Sequence, residues 1–450
     1  MKFAPREMFR IAMPLILSMA SYTVMQFCDR IFLSHYSSVA IEAALPAGIL
    51  AHTAVCFFQA LASYAGTFTA QYHGAGRPAE GVRSSAQGIW LALFAWPLMA
   101  ALIPLGWLVI RTSGHSAEVI AAERTYFTIL TAGGVMVTLN AAIGGYFIGI
   151  GKTSVNFLSN FVGCGSNVLL NWVMIFGRWG CPSMGITGAA YATLISGVIA
   201  ILLQFGMMFF EPAVRAAWRE RGFRVVAVDW PQLGQILRFG APAALQTLLD
   251  LSVFTVFVFL TGKLGDLALA ASNIAFSINN LAFSPLLGFG MAASTLVSQH
   301  LGAGDPDAAW RAGNTGLLFG LVYMGFIGST FVMFPGFYFE LFHSANAAFS
   351  AAELLQVGRV MMCLMAAWGL LDTLTIVLEQ ALKGAGDTKF VMLYMTTLGW
   401  TLLVPGAVVL TYRGAGIIAL WCWMAFYVMV LCSGLVWRWC SGKWRTIKMI

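Results

Sequence analysis

The chain has 450 residues, 59% of them hydrophobic and only 10% charged, with a formal net charge of +7 and a mean hydropathy of +0.81. A water-soluble protein of this length carries roughly a quarter of its residues charged, so the composition excludes a soluble enzyme or binding module. The eight cysteines form no C-x-x-C pair, and most lie inside apolar runs (Cys28, Cys56, Cys164, Cys363, Cys422, Cys432), where they read as small packing residues.

The first apolar run extends from Phe9 to about Leu33. It is longer than a signal h-region, and no small-residue cleavage site is followed by a polar mature chain, so it is expected to remain as a span. Further spans follow at about 43–72, 84–110, 122–150, 154–177 and 185–210, then 235–262, 267–299, 309–340, 354–382, 388–411 and 414–438. Each is long enough to cross ~30 Å of hydrocarbon. The longest imply tilt or projection beyond the lipid. Pro14, Pro97, Pro104, Pro242, Pro285, Pro335 and Pro405 are expected inside these spans, tolerated where neighbouring helices satisfy the freed carbonyls.

The longest polar stretch, Glu211 to about Gln232, falls at the middle of the chain and reads as a linker between halves. Its arginines Arg215, Arg219, Arg221 and Arg224 are expected near anionic headgroups. With the N-terminus in the cytoplasm, about eighteen of the 25 lysines and arginines fall on the cytoplasmic side and about seven opposite. The positive-inside rule therefore places both termini in the cytoplasm. The positive balance orients the chain and implies no nucleic-acid partner.

Shifting the chain by 228 residues aligns its halves: Arg10-Ile11-Ala12-Met13-Pro14 falls on Arg238-Phe239-Gly240-Ala241-Pro242. QYHGAGRPAEGVRSSAQG from Gln71 falls on QHLGAGDPDAAWRAGNTG from Gln299. With a small gap, Gly149-Ile150-Gly151-Lys152-Thr153 matches Gly384-Ala385-Gly386-Asp387-Thr388. Gly-Ala-Gly after a helix supplies left-handed conformations for a tight turn, and Pro78 and Pro306 suit the first turn of the next helix. Six spans per half give both halves the same orientation. The expected architecture is two pseudo-symmetric six-helix bundles around a central cavity, with lobes at 1–211 and 234–450 joined by a linker at 212–233. Gly151-Lys152-Thr153 mimics the end of a P-loop, but Tyr146 stands where the first glycine belongs and no strand precedes it.

Four of the eighteen carboxylates lie inside spans: Asp29, Asp250, Asp372 and Glu379. An ionisable group at membrane depth costs at least ~2.5–3.5 kcal/mol and needs a reason to be there. At 1.5 Å per residue, Asp250 lies about 18 Å from Arg238 and Asp372 about 16 Å from Lys383, both near the midplane. Asp29 lies near the outer end of the first span, where a pair with Arg30 is the plain alternative, and Glu379 is one turn from Lys383. An aspartate at midplane resolves its cost by binding a proton or a cation. Asp250 and Asp372 are the candidate Na⁺ ligands, with Gln246, Asn273, Thr373 and Thr375 as oxygens to complete the shell. The histidines His35, His52, His73, His115, His300 and His343 show no metal-ligand spacing, and no nucleophile elbow or metalloprotease helix occurs.

In this order and spacing the chain resembles the multidrug and toxic compound extrusion (MATE) family. The carriers are Pro14, Asp29, Gln71 with Gly74-Ala75-Gly76, Pro242, Leu264-Gly265, Gln299 with Gly302-Ala303-Gly304, and Lys383-Gly384-Ala385-Gly386-Asp387. The resemblance, to the NorM-like branch, implies acidic cation-coupling residues on helices 1, 7 and 10. They fall on Asp29, Asp250 and Asp372, with Glu379 a secondary ligand. Two departures concern the coupling ion: helix 7 carries aspartate where that branch usually has glutamate, and Asn273 stands where glutamine is common.

The resemblance further implies a secondary exporter of amphiphilic, cationic organic compounds, driven by Na⁺ or H⁺ antiport across a bacterial inner membrane. No other cofactor is expected, and the partners are small organic substrates and lipid around a monomer. The alternative is a flippase for a lipid-linked precursor, whose cavity is commonly basic where the embedded charges here are acidic.

Overall fold

The structure, a computed structural model, describes the backbone of residues 5–264, 266–342 and 351–450. It describes the side chains of these except 266–271, 273, 341–342, 351–354, 356 and 357. The described residues are helical and contain no strand, as chains in lipid must satisfy every backbone polar group within the segment. Among the described residues, twelve helices are long and apolar enough to cross a membrane. They are α1 (Pro5–Tyr36), α2 (Ser38–Gly74), α3 (Pro78–Arg111), α4 (Ala117–Gly149), α5 (Thr153–Phe176) and α6 (Gly185–Phe210), followed by α7 (Trp230–Gly262), α8 (Asp266–Gly302), α9 (Pro306–Met333), α10 (Ala351–Gly384), α11 (Thr388–Tyr412) and α12 (Gly416–Cys440).

Proline divides into two uses. Pro14, Pro97, Pro242 and Pro285 lie inside helices as expected, and so does Pro46. Pro335 does not. The ninth span ends at Met333, Phe334 leaves the helical region (φ −129°, ψ 47°), and Pro335 opens a separate helix, Pro335–Phe342. The residue before a proline is pushed away from α geometry, which corrects the expected span of 309–340. Pro104 and Pro405 likewise stand in first turns, after a break at Leu102 and a π-helical turn over Gly399–Leu403.

The Gly-Ala-Gly turns work through their second glycine: Gly76, Gly304 and Gly386 take positive φ of 68°, 74° and 88°. The first glycine has another task. A Cβ at Gly74 would fall on the Gln299 carbonyl, and one at Gly302 on the Gln71 carbonyl, so each repeat's motif rests on the other's backbone.

The chain divides into two compact units. The N-terminal unit comprises Met13–Thr247, Ser298–Gly304 and Met449–Ile450; the C-terminal unit comprises Met1–Ala12, Leu248–Val297 and Asp305–Lys448. In the N-terminal unit α2 and α4 meet backbone to backbone. A Cβ at Gly66 would lie 2.6 Å from the Gly145 carbonyl oxygen, and one at Gly149 2.6 Å from that of Gly66. The Gly145-x-x-x-Gly149 face allows this approach, the usual means of helix association where lipid offers no hydrophobic drive.

The C-terminal unit is fastened differently. Trp439 stacks on Trp444 at 4.3 Å and on Trp310 at 5.1 Å, and its indole N–H donates to Asn314 Oδ1 at 3.0 Å. Arg438 grips Asp387 through two hydrogen bonds of 2.6 and 3.1 Å. The acid that closes the Lys383–Asp387 motif thus ties the α10–α11 turn to the end of α12.

Candidate functional site: carboxylates and carboxamides within the spans

In the N-terminal unit the site grows from α5, the least apolar of the twelve spans. Asn156, Asn160, Asn167 and Asn171 follow one another at intervals of four, seven and four, which on a 3.6-residue helix draws one stripe. The stripe faces inward: Asn167 and Asn171 are 0% exposed. Buried amides need partners, and these find them among themselves. Asn171 Nδ2 donates to Asp29 Oδ1 on α1 and to Asn167 Oδ1 at 2.9 Å. Asn167 Nδ2 in turn reaches the Thr193 hydroxyl of α6 at 3.4 Å. One stretch nearer the α5 N-terminus, Asn160 Nδ2 donates to Ser18 Oγ at 3.1 Å, while Asn140 Nδ2 donates to Asn160 Oδ1 at 3.2 Å and Gln204 Nε2 to Asn156 Oδ1 at 3.1 Å.

Asp29 is thereby placed. Its hydrogen-bond partner is Asn171, and Arg30 lies within electrostatic range of it. Tyr22, Tyr126 and Cys164 lie within electrostatic range of it. One acceptor beside it is spare: among the described residues, Asn171 Oδ1 has no donor, and farther along the stripe neither do the buried Asn140 Oδ1 and Gln204 Oε1. A spare oxygen beside a carboxylate is what a hard cation, a proton carrier or water can use. None of these amides is singled out by a search for charges. The four-seven-four spacing within the most polar span is the signal that finds them.

In the C-terminal unit Asp250 stands on α7 and Asp372 on α10, both half-buried. Tyr427 of α12 lies within electrostatic range of Asp250, Asp372 and Glu379. An aromatic stack adjoins: Trp368, one turn before Asp372, stacks on Trp421 at 5.2 Å, and Trp421 on Phe276 at 5.1 Å. Trp421 is fully buried and donates to Ser272 Oγ at 3.2 Å, so this stack is core rather than an open surface.

The secondary candidates fare unequally. Glu379 is ion-paired with Lys383 at 2.5 Å, the arrangement their one-turn spacing suggests. The hydroxyls of Thr373 and Thr375 donate to carbonyls of their own helix, Gly369 at 2.7 Å and Leu371 at 3.1 Å. Gln246 is buried and falls in the N-terminal unit. The side chain of Asn273 lies outside the described residues, as does Gly265. Among the described residues no three His, Cys, Asp or Glu side chains converge as a metal group. The P-loop mimic resolves into a turn: Gly151 has φ +75°, and Lys152 pairs with Glu211 at 2.7 Å.

Twelve apolar spans among the described residues, with acids and amides along them, define a multi-pass membrane protein. The chain belongs to the MatE family, whose model matches residues 14–173 and 242–409. It is 28% identical to a "Probable multidrug resistance protein NorM" of Brucella suis biovar 1 (strain 1330), over 96% of this chain and 93% of that one. It is 25% identical to "Multidrug resistance protein MdtK" of Yersinia pseudotuberculosis, over 90% of this chain and 87% of that one. Among solved structures, an outward-facing multidrug resistance MATE family transporter of the MOP superfamily superposes with a TM-score of 0.86 at 18% identity, covering 98% of this chain and 96% of that one. This last likeness bears on the fold alone. By family the chain is a transport protein, not an enzyme.

Proposed function

We propose that the protein is a secondary exporter of amphiphilic, cationic organic compounds, driven by antiport with Na⁺ or H⁺ in a bacterial inner membrane, with both termini in the cytoplasm. The observation that carries the reading is Asp29 held inside α1 by a carboxamide whose own oxygen lacks a donor. The names of the relatives, as multidrug resistance proteins, support drugs as the substrates.

The chemistry follows from the cost of a charge in lipid. An ionised aspartate within a span is expensive by at least ~2.5–3.5 kcal/mol, and a bound proton or cation removes most of that cost. Asp29 accepts the coupling cation while Asn171 positions the carboxylate through its N–H and offers its carbonyl oxygen to the ion. In the C-terminal unit Asp250 and Asp372 are the further cation ligands; Glu379 lies within electrostatic range of Asp372, and a like charge nearby raises the affinity for any cation, inorganic or organic. A cation that binds one conformation better than the other shifts the population by its differential affinity, and no further machinery is required for exchange. The coupling ion is cargo; no other cofactor or nucleic-acid partner is proposed, and the working unit is a monomer. The flippase alternative has no support from the relatives' names.

The test is ethidium efflux in everted membrane vesicles under an imposed Na⁺ or H⁺ gradient, with wild type, Asp29→Asn and Asp372→Asn. Efflux that follows one gradient and is lost in the variants is the expected result. Efflux indifferent to both gradients would sink the antiport reading.

A further inference from the structure

The linker face of the N-terminal unit carries a feature that export does not use. Arg83, Glu220, Arg221 and Arg224 line an open cleft of about 530 Å³. Arg83, in the second turn of α3, is held by Asp229 at 3.1 Å. Arg221 ends the linker helix Pro212–Arg221 and reaches Glu80 at 2.9 Å, with Glu220 at 3.4 Å. These pairs fix two of the three guanidiniums without using all their donors. Arg83 Nε is shut off from solvent and has no acceptor among the described residues. Arg224 is exposed and, among the described residues, joins no ion pair.

The same segment presents aromatic rings outward. Phe223 is 79% exposed and Trp230 67%. Phe223 meets Trp218 edge-on at 5.1 Å, and Trp230 stacks on Phe94 at 6.2 Å. Trp90 pins the linker by donating to the Val226 carbonyl at 2.7 Å. Exposed tryptophan and phenylalanine beside arginine is the composition of a membrane–water boundary, where rings sit at headgroup level. Arginine in turn offers paired N–H donors that match phosphate oxygens.

We propose that this cleft is a specific site for the phosphate of an anionic phospholipid headgroup, of the phosphatidylglycerol kind, bound through Arg224 with Arg83 and Arg221 in its wall. The two existing ion pairs hold the cleft's shape, the exposed Arg224 guanidinium takes the phosphate, and the exposed rings keep the linker at the lipid surface. The inference stands apart from the export reading, since it concerns no residue assigned to cation coupling.

The experiment is native mass spectrometry of the full-length protein released from detergent, titrated with phosphatidylglycerol, with phosphatidylcholine, and with inorganic phosphate as competitor. Wild type, Arg224→Ala and Arg219→Ala are compared; Arg219 is exposed on the same linker helix but does not line the cleft, and its loss changes the net charge equally. Phosphatidylglycerol should be retained over phosphatidylcholine, and Arg224→Ala should lower that retention about fivefold while Arg219→Ala changes it by less than about twofold. Equal retention of the two lipids would overturn the proposal. So would equal losses in the two variants, which mean diffuse charge rather than a site. Displacement of the lipid by inorganic phosphate at matched concentration would make the cleft a site for soluble anions and overturn it as well.

Discussion

The two units hold charge inside the membrane in opposite ways. In the N-terminal unit the acid Asp29 is set beside neutral carboxamides, and its hydrogen-bond partner is one of them. In the C-terminal unit three acids lie within electrostatic range of Tyr427, with Lys383 paired to one of them. An amide stripe tunes one carboxylate through hydrogen bonds of fixed geometry. Gathered carboxylates tune one another through repulsion, which any arriving cation relieves. The first arrangement suits a small ion that must be recognised by its ligands. The second suits a positive charge of whatever shape.

Mutations can break that contrast. The largest effect is expected from the acids: Asp29→Asn, Asp250→Asn and Asp372→Asn should each reduce gradient-driven efflux at least about tenfold, a loss of ~1.4 kcal/mol or more. If Asp29→Asn alone left efflux intact, the N-terminal acid would be structural and the contrast would fail. Next comes Asn171→Leu, which strips Asp29 of its donor and should weaken the half-saturating ion concentration by the equivalent of about 1–3 kcal/mol, read from the ion dependence of efflux.

Stability separates the units further. Asp387→Ala removes the two-pronged grip of Arg438 and should cost about 1.5–3 kcal/mol, seen as a lower melting temperature in detergent. Gly66→Ala drives a methyl into the Gly145 backbone and should cost about 1–3 kcal/mol by the same assay, with little effect on the C-terminal acids. The smallest effect is expected from Thr373→Val. Its hydroxyl is spent on the Gly369 carbonyl, so the half-saturating ion concentration should move by less than about threefold, as for a typical neutral hydrogen bond.

Much of this was legible before any coordinate. Length and hydropathy give the spans, because a segment in lipid has no choice but to be a helix, and the repeat at Gln71 and Gln299 locates the tight turns. The four embedded acids stand out because lipid makes every charge conspicuous. Less legible were groups that lipid tolerates quietly. Asn167 and Asn171 carry no charge and hide in an apolar run, and only their shared face with Asn156 and Asn160 reveals a purpose. Pro335 was misplaced because apolar composition continues through it, while the break depends on the backbone of Phe334. The fate of Glu379 turned on one distance, which spacing alone leaves open.

The reciprocal contact at Gly74 and Gly302 has a consequence for how such a chain can change. Exchanging the two repeats carries residue 74 onto 302 and residue 71 onto 299, so the contact of Gly74 with Gln299 becomes that of Gly302 with Gln71. The contact is its own image, in the manner of an isologous dimer interface folded into one polypeptide. A duplicated half can drift freely wherever its copy looks elsewhere. At this junction each copy is the other's environment, and a side chain gained by one glycine is felt by the backbone of its twin.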